Sequence, residues 1–347
     1  MLTKSVAEQL EILIFTYNRA AYLERTLSQF LTSPFAQCRL TVLDNCSTDE
    51  TSIVCDKYRA LFRNLRIVRH KKNIGLTANY LRAVELSEAR YTWIIGDDDV
   101  YDFSDCADVI AAVETKDFDL IYLSDLGRCG WERGMATTSA HLAINGSNYF
   151  FLHSFVNNFM FKTERFDSAC LSEGYRTAAH LFPQFGFCKK SVRDNFSFYI
   201  SKKKMIERGQ DNNHLAPWRW YAAWVSNCRT IEDRRLCRAA IYELLYFYKN
   251  GLTYTYTYIG KSGDRSRWLR GFIRPLILEK LNAPEGFFRK TGQILMGLSL
   301  DQLLLFSLLS PLVLTPSAVY RWMRTLRRWA RGNPALEVTR SSDPFRS

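Results

Sequence analysis

The chain has 347 residues, 47% of them hydrophobic and 24% charged, with a formal net charge of +12. That length holds two domains with real apolar cores and excludes a disordered tether. The positive balance calls for an anionic partner, which nucleic acid, a phosphorylated substrate or an acidic lipid surface would satisfy.

Nine cysteines stand singly, without C-x-x-C pairs or zinc-finger spacing, which fits a reducing compartment better than a disulfide framework. The start MLTKSVAEQLEILIF lacks a basic head followed by a long apolar run, so no signal peptide is expected. Ile12 to Phe15 read as a short buried strand ending in Thr16-Tyr17-Asn18-Arg19, after which Tyr22, Leu23, Leu27, Phe30 and Leu31 recur at helical spacing. Leu40 to Leu43 repeat the design, ending in Asp44-Asn45-Cys46-Ser47-Thr48-Asp49. The helix that follows carries Ile53, Val54, Tyr58 and Leu61, with Ser47 or Thr48 as its expected cap. A third strand, Leu65 to Val68, leads through Lys72-Asn73-Ile74-Gly75 to a helix over Ala78, Leu81, Val84 and Leu86. A fourth apolar run from Tyr91 through Trp93, Ile94, Ile95 and Gly96 ends in Asp97-Asp98-Asp99.

Alternating strands and helices predict a parallel sheet covered on both faces, with ligands outside the carboxyl ends of the strands. Each polar cluster falls at such an end, so Thr16 to Arg19, Asp44 to Ser47, Asn73 to Gly75 and Asp97 to Asp99 share one rim. Three adjacent carboxylates repel one another. They stay near a strand end when a cation such as a divalent metal offsets the repulsion, or when the turn is fully solvated.

The segments IFTYNR, VLDNCSTDET, NIGLTANY and WIIGDDD, in this order, resemble the family 2 glycosyltransferases of GT-A fold over roughly the first 125 residues. The resemblance implies an α/β fold with a Rossmann-like, mostly parallel sheet flanked by helices, and a C-terminal helical extension. It also implies a metal-dependent transfer of one sugar from a nucleotide-sugar donor. Carried over by position, Thr16, Tyr17, Asn18 and Arg19 line the nucleotide, Asp44 and its neighbour Asn45 meet the base, and Asn73 and Gly75 form the connecting loop. Asp97 takes the ribose, and Asp98 or Asp99 holds Mg2+ or Mn2+. Gly96 stands where such enzymes usually carry an acid, which resembles the subset transferring deoxy or dideoxy sugars in lipopolysaccharide O-antigen assembly.

The acidic pair that usually supplies the catalytic base is absent between Asn158 and His180. His180, placed on an expected helix from Thr177 to Phe187, takes that role, with Glu173 preceding it in a loop and Asp194 or Asp211 as alternatives. The second half of the chain is rich in aromatic rings and asparagine, which suits a sugar acceptor but also a packed core.

Four regions are expected: 1–125 for the donor nucleotide, 126–235 for the acceptor, 236–331 helical and basic, and 332–347 as a flexible tail. Leu303 to Leu314 is too short to span a bilayer and contains Pro311, while Tyr320 to Arg331 mixes arginine and tryptophan. Such a pair suits an anionic membrane surface, which places the protein in the cytoplasm, peripheral on the inner face of the bacterial inner membrane, acting on a lipid-linked oligosaccharide acceptor. Packing against the domain, or dimerisation, is the alternative for the same helices, and no oligomeric state is read from the sequence. Nucleic acid is not expected, because the acidic rim would repel a phosphate backbone.

Overall fold

The computed structural model describes residues 4–124, 131–144, 149–178 and 181–207, with 223, 224, 226–228, 230–233, 236, 237 and 240. The chain divides into two compact units, Met1–Tyr248 and Lys249–Ser347, and every described residue belongs to the first. His180, Asp211 and the basic C-terminal segment expected to be helical lie outside the described residues.

Helix α1 (Val6–Gln9) leads into β1 (Leu10–Thr16), followed by α2 (Ala20–Leu31), β2 (Arg39–Asp44), α3 (Thr51–Arg59), β3 (Leu65–Arg69), α4 (Leu76–Leu86) and β4 (Tyr91–Ile95). Then come the two-residue β5 (Val100–Tyr101), α5 (Ala107–Ala111), β6 (Leu120–Tyr122), β7 (Ala136–Thr138), α6 (Ser139–Ile144) and α7 (Tyr149–Leu152). Strand β8 (Phe159–Lys162), α8 (Ser168–Arg176), α9 (Phe185–Arg193), β9 (Ser197–Ile200) and β10 (Ile206–Glu207) complete the described elements.

Eight strands form one sheet in the order β3-β2-β1-β4-β8-β6-β9-β7, and β10 pairs with β5 in a separate ribbon. The first four are parallel, β8 runs against both β4 and β6, and β9 lies parallel to β6. Every residue of β4 is buried, because helices cover both faces of a parallel sheet. This is why β4 reads as an unbroken apolar run. Helix α2 buries Leu23, Thr26, Leu27 and Phe30 on one stripe. The Phe30 ring meets Trp93 at 5.6 Å and Tyr101 at 5.1 Å between centroids, so α2 is anchored directly beneath the turn that follows β4. Burying such a ring stabilises the fold by roughly 1.5–3 kcal/mol.

The expected helix from Thr177 to Phe187 does not form. Helix α8 ends at Arg176, Thr177 caps it, and α9 begins only at Phe185. Pro183 explains the break: its ring excludes the helical conformation at the preceding residue, and Leu181 adopts a left-handed φ of 64°. Glu173, expected in a loop, lies inside α8. Cys38, Cys46, Cys55, Cys106 and Cys170 are free thiols, in keeping with the scattered spacing.

Candidate nucleotide-sugar site

The sheet register sets Thr16 level with Asp44, and Asp44 level with Arg69, so the carboxyl ends of β1, β2 and β3 form one edge. Strand β4 ends beside Ile14, and the reversed β8 begins at the same edge with Asn157 and Asn158 just before it.

The loops on this edge are stitched to one another. Asn18 adopts a left-handed φ of 51°, its N–H donates to Ser47 Oγ at 2.9 Å, and its Oδ1 accepts from the Thr48 N–H at 2.7 Å. Ser47 therefore tethers the first loop rather than capping α3. The N-cap is Glu50, which makes no side-chain cap; the preceding Asp49 instead accepts from the Thr51 N–H with Oδ1 at 3.1 Å and from the Ala20 N–H with Oδ2 at 3.0 Å. Asp44 is buried, with Oδ1 accepting from the Ser47 N–H at 2.8 Å and Oδ2 lying 3.5 Å from Arg69 Nε. Asn45 bridges to the third loop: its Nδ2 donates to Asn73 Oδ1 at 2.8 Å and its Oδ1 accepts from the Ile74 N–H at 2.9 Å. Gly75 follows with φ 83° and ψ 160°, a backbone state that only glycine adopts without strain. Cys46 is left-handed as well, at φ 67°, so each of these three rim loops carries one positive-φ residue. Among these residues Tyr17 leaves its ring the most open, at 42% exposure.

The acidic turn is held from below and from the side. Thr26 Oγ1 donates to the Asp97 carbonyl at 3.0 Å, and Arg25 Nη2 donates to the Asp98 carbonyl at 2.6 Å. Thr16 Oγ1 donates to Asp97 Oδ2 at 2.5 Å. Arg19 reaches both carboxylates, with Nε 3.3 Å from Asp97 Oδ1 and Nη2 3.3 Å from Asp98 Oδ2. Burial pushes the Asp97 carboxyl up to about 6, opposed by the Arg19 charge and the Thr16 hydroxyl. Asp99 turns the other way and accepts from Asn157 Nδ2, while the Asn157 carbonyl accepts from Trp93 Nε1 at 2.8 Å. Gly96 leaves room for this turn, since a β-carbon there would sit 3.0 Å from Asp98 Oδ1.

The donor set suits a hard divalent cation, because Asp97, Asp98 and Thr16 offer only oxygen. Among the described residues no group of three or more His, Cys, Asp or Glu side chains is arranged as a metal cage. Mg2+ and similar ions are commonly held by one or two carboxylates with substrate phosphates completing the shell, so the turn fits an ion that arrives with its nucleotide.

The base candidates fare differently. Glu173 is paired with Lys189 Nζ at 2.5 Å and abuts Gly186, which makes it part of the α8–α9 contact. Asp194 follows α9, ahead of β9, at the opposite end of the sheet from the rim. There Arg193 and Lys190 neutralise it and hold its carboxyl down to about 2, which removes it as an alternative base. The sequence reading missed Arg25, Thr26, Arg69 and Asn157. Thr26 left a signal, being a polar residue inside the apolar stripe of α2; the others left none.

Residues 11–178 match the family described as "Glycosyl transferase family 2". The chain carries a family 2 glycosyltransferase domain. The chain is 35% identical over 88 residues to abequosyltransferase RfbV of Salmonella typhimurium, a match covering 24% of this chain and 26% of that protein. The curated relatives are thus matched over no more than a third of their own lengths. Among solved structures it resembles S. aureus TarS 1-349 in complex with UDP-GlcNAc, with a TM-score of 0.55 at 15% identity, covering 76% of this chain and 79% of that one. It also resembles the mannosyltransferase PcManGT from Pyrobaculum calidifontis in complex with GDP-Man and Mn2+, with a TM-score of 0.50 at 13% identity over 92% and 84% of the two chains. These likenesses show the GT-A fold of the chain. No helix among its described residues is long and apolar enough to cross a membrane.

Proposed function

We propose that the protein transfers a single sugar from a nucleotide-sugar donor to a lipid-linked glycan during bacterial surface polysaccharide assembly, at the inner face of the inner membrane. The observation that carries this reading is the convergence of three cross-linked loops and the Asp97–Asp98–Asp99 turn on one edge of the sheet. The partial likeness to an abequosyltransferase supports a deoxy or dideoxy hexose as the sugar, and the Arg/Trp-rich C-terminal sequence supports an anionic membrane surface.

In this reading Tyr17 lies against the base with Asp44 and Asn45 beneath it, and Asn73 and Gly75 shape the loop beside it. Thr16 and Asp97 face the ribose. Asp98, with Asp97 or Asp99, would hold Mg2+ or Mn2+, which when bound stabilises the charge developing on a departing nucleoside diphosphate. Thr26 and Arg25 fix the backbone of that turn, so the carboxylates are oriented before the donor arrives. His180 would take the proton from the acceptor hydroxyl, while Glu173, fixed by Lys189, belongs to the packing of α8 on α9.

Thermal unfolding measured against a panel of nucleoside diphosphates and nucleotide sugars tests the reading. A nucleotide that raises the melting temperature with Mn2+, and much less with EDTA, is the expected outcome. No metal-dependent shift with any nucleotide, together with tight binding of an oligonucleotide, would replace it with a nucleic-acid-binding role.

A further inference from the structure

Arg19 has a position that lining the nucleotide does not by itself explain. It is the last residue before α2, and its guanidinium fork spans the Asp97 and Asp98 carboxylates at 3.3 Å each, while its face lies over the Tyr22 ring at 4.4 Å. Both carboxylates are largely buried, whereas the Arg19 side chain keeps about a quarter of its surface in solvent. A guanidinium is weakly hydrated and planar, so it bridges two carboxylates in a half-buried site where a lysine would be held poorly. The oxygens it takes are those the turn would offer a divalent ion. A guanidinium and a divalent cation cannot share them, because two positive centres a few ångströms apart repel more strongly as water is excluded.

The turn does not need Arg19 for its shape. Its carbonyls are held separately by Arg25 and Thr26, and Asp97 keeps the Thr16 hydroxyl. Arg19 is therefore free to leave without unravelling the acidic loop. The Tyr22 ring, one turn into α2, offers its face as a resting surface, and the mouth of the site would hold the donor diphosphate, which a bidentate guanidinium recognises well.

We propose that Arg19 is a resident counterion that occupies the Asp97–Asp98 pair until metal arrives, and then turns to the donor diphosphate. It is a positioning residue that exchanges partners. This inference rests on the donor-site reading above. Its consequence is that metal and diphosphate respond to the loss of Arg19 in opposite directions. The metal gains a vacated carboxylate pair, and the diphosphate loses a cation.

The test is calorimetric titration of the full chain with Mn2+ alone, and with inorganic pyrophosphate at saturating Mn2+, for the wild type, Arg19→Gln, Arg19→Lys and Asp98→Asn. Arg19→Gln is expected to bind Mn2+ at least threefold more tightly and Mn2+-pyrophosphate at least tenfold more weakly. Arg19→Lys is expected to fall between the two for both ligands. Unchanged or weakened Mn2+ binding in Arg19→Gln overturns the exchange, as does undiminished pyrophosphate binding, while Mn2+ binding that Asp98→Asn abolishes leaves the donor-site reading intact. Absence of Mn2+ binding in all four proteins, with pyrophosphate or without it, overturns both.

Discussion

Gly96 and Asp98 are packed so closely that a β-carbon on residue 96 would lie 3.0 Å from Asp98 Oδ1. The residue that departs from the expected acidic pattern is thus the one that gives a neighbouring carboxylate its place. Gly96→Ala should displace that carboxylate by a few tenths of an ångström and weaken Mn2+-nucleotide binding roughly tenfold while the melting temperature stays nearly constant. Titration of the variant with Mn2+ and a nucleoside diphosphate measures it, and wild-type affinity would show that Asp98 does not contribute to the metal site.

Asp98→Asn keeps the shape of the turn and removes one charge. Turnover should fall by at least a hundredfold, in the range expected when a group that stabilises transition-state charge is lost, with little change in the unfolding midpoint. A donor-hydrolysis assay beside a thermal melt checks both halves.

Asn157 ties the second half of the sheet to the acidic turn through its amide on Asp99. Asn157→Leu should cost about 1–3 kcal/mol in urea unfolding, the usual loss when a buried hydrogen bond to a charged group is broken. Asn157→Asp should cost more, because it sets a fourth carboxylate against the three. A leucine variant as stable as the wild type would show that this amide adds nothing to the fold.

Asn18 serves two ends, a left-handed backbone and an acceptor for the Thr48 amide. Asn18→Gly keeps the first and loses the second, whereas Asn18→Ala loses both. The alanine variant should therefore be the less stable of the pair by about 1 kcal/mol in thermal unfolding of the ligand-free protein. Equal stabilities would mean that the backbone conformation carries no cost.

His153 is buried between Tyr149 and Phe159, stacked on the latter at 4.1 Å, and its Nε2 has no hydrogen-bond partner. Burial holds its imidazolium form down to about 3. The unfolded chain takes up a proton near pH 6.5 that the folded chain refuses, so stability drops as pH falls from about 6.5 toward 3, by up to about 1.4 kcal/mol per unit. His153→Phe should flatten that acid limb relative to the wild type between pH 6 and 4, measured by urea denaturation. Parallel pH curves would place the proton-refusing group elsewhere.

The first half of the fold was legible because each strand is a continuous apolar run and each break is a cluster of polar turn residues. Ile12 to Phe15, Leu40 to Leu43, Leu65 to Val68 and the run from Tyr91 all became strands, extended by a residue or two at the ends. Thr16, Asp44, Asn73 and the acidic triplet come to one edge because parallel strands place all their carboxyl ends together. What periodicity did not show was the wiring between loops. Asn18 to Thr48 and Asn45 to Asn73 join residues about thirty positions apart, and nothing in local sequence ranks one such pair over another. The stretch after Arg176 misled for a different reason. Apolar residues from Leu181 to Phe187 have helical spacing, yet Pro183 enforces a break that spacing alone ignores.

The reversal of β8 between two strands of the opposite sense has a consequence for how such proteins diversify. It delivers the Asn157 amide to an aspartate fifty-eight positions earlier in the chain. Grafting a foreign second half onto the half that carries the acidic turn would succeed only if the incoming piece brought its own clasp for Asp99. The seam between the two halves is therefore a specific handshake rather than a blank join, and modular exchange across it would have to respect that fit.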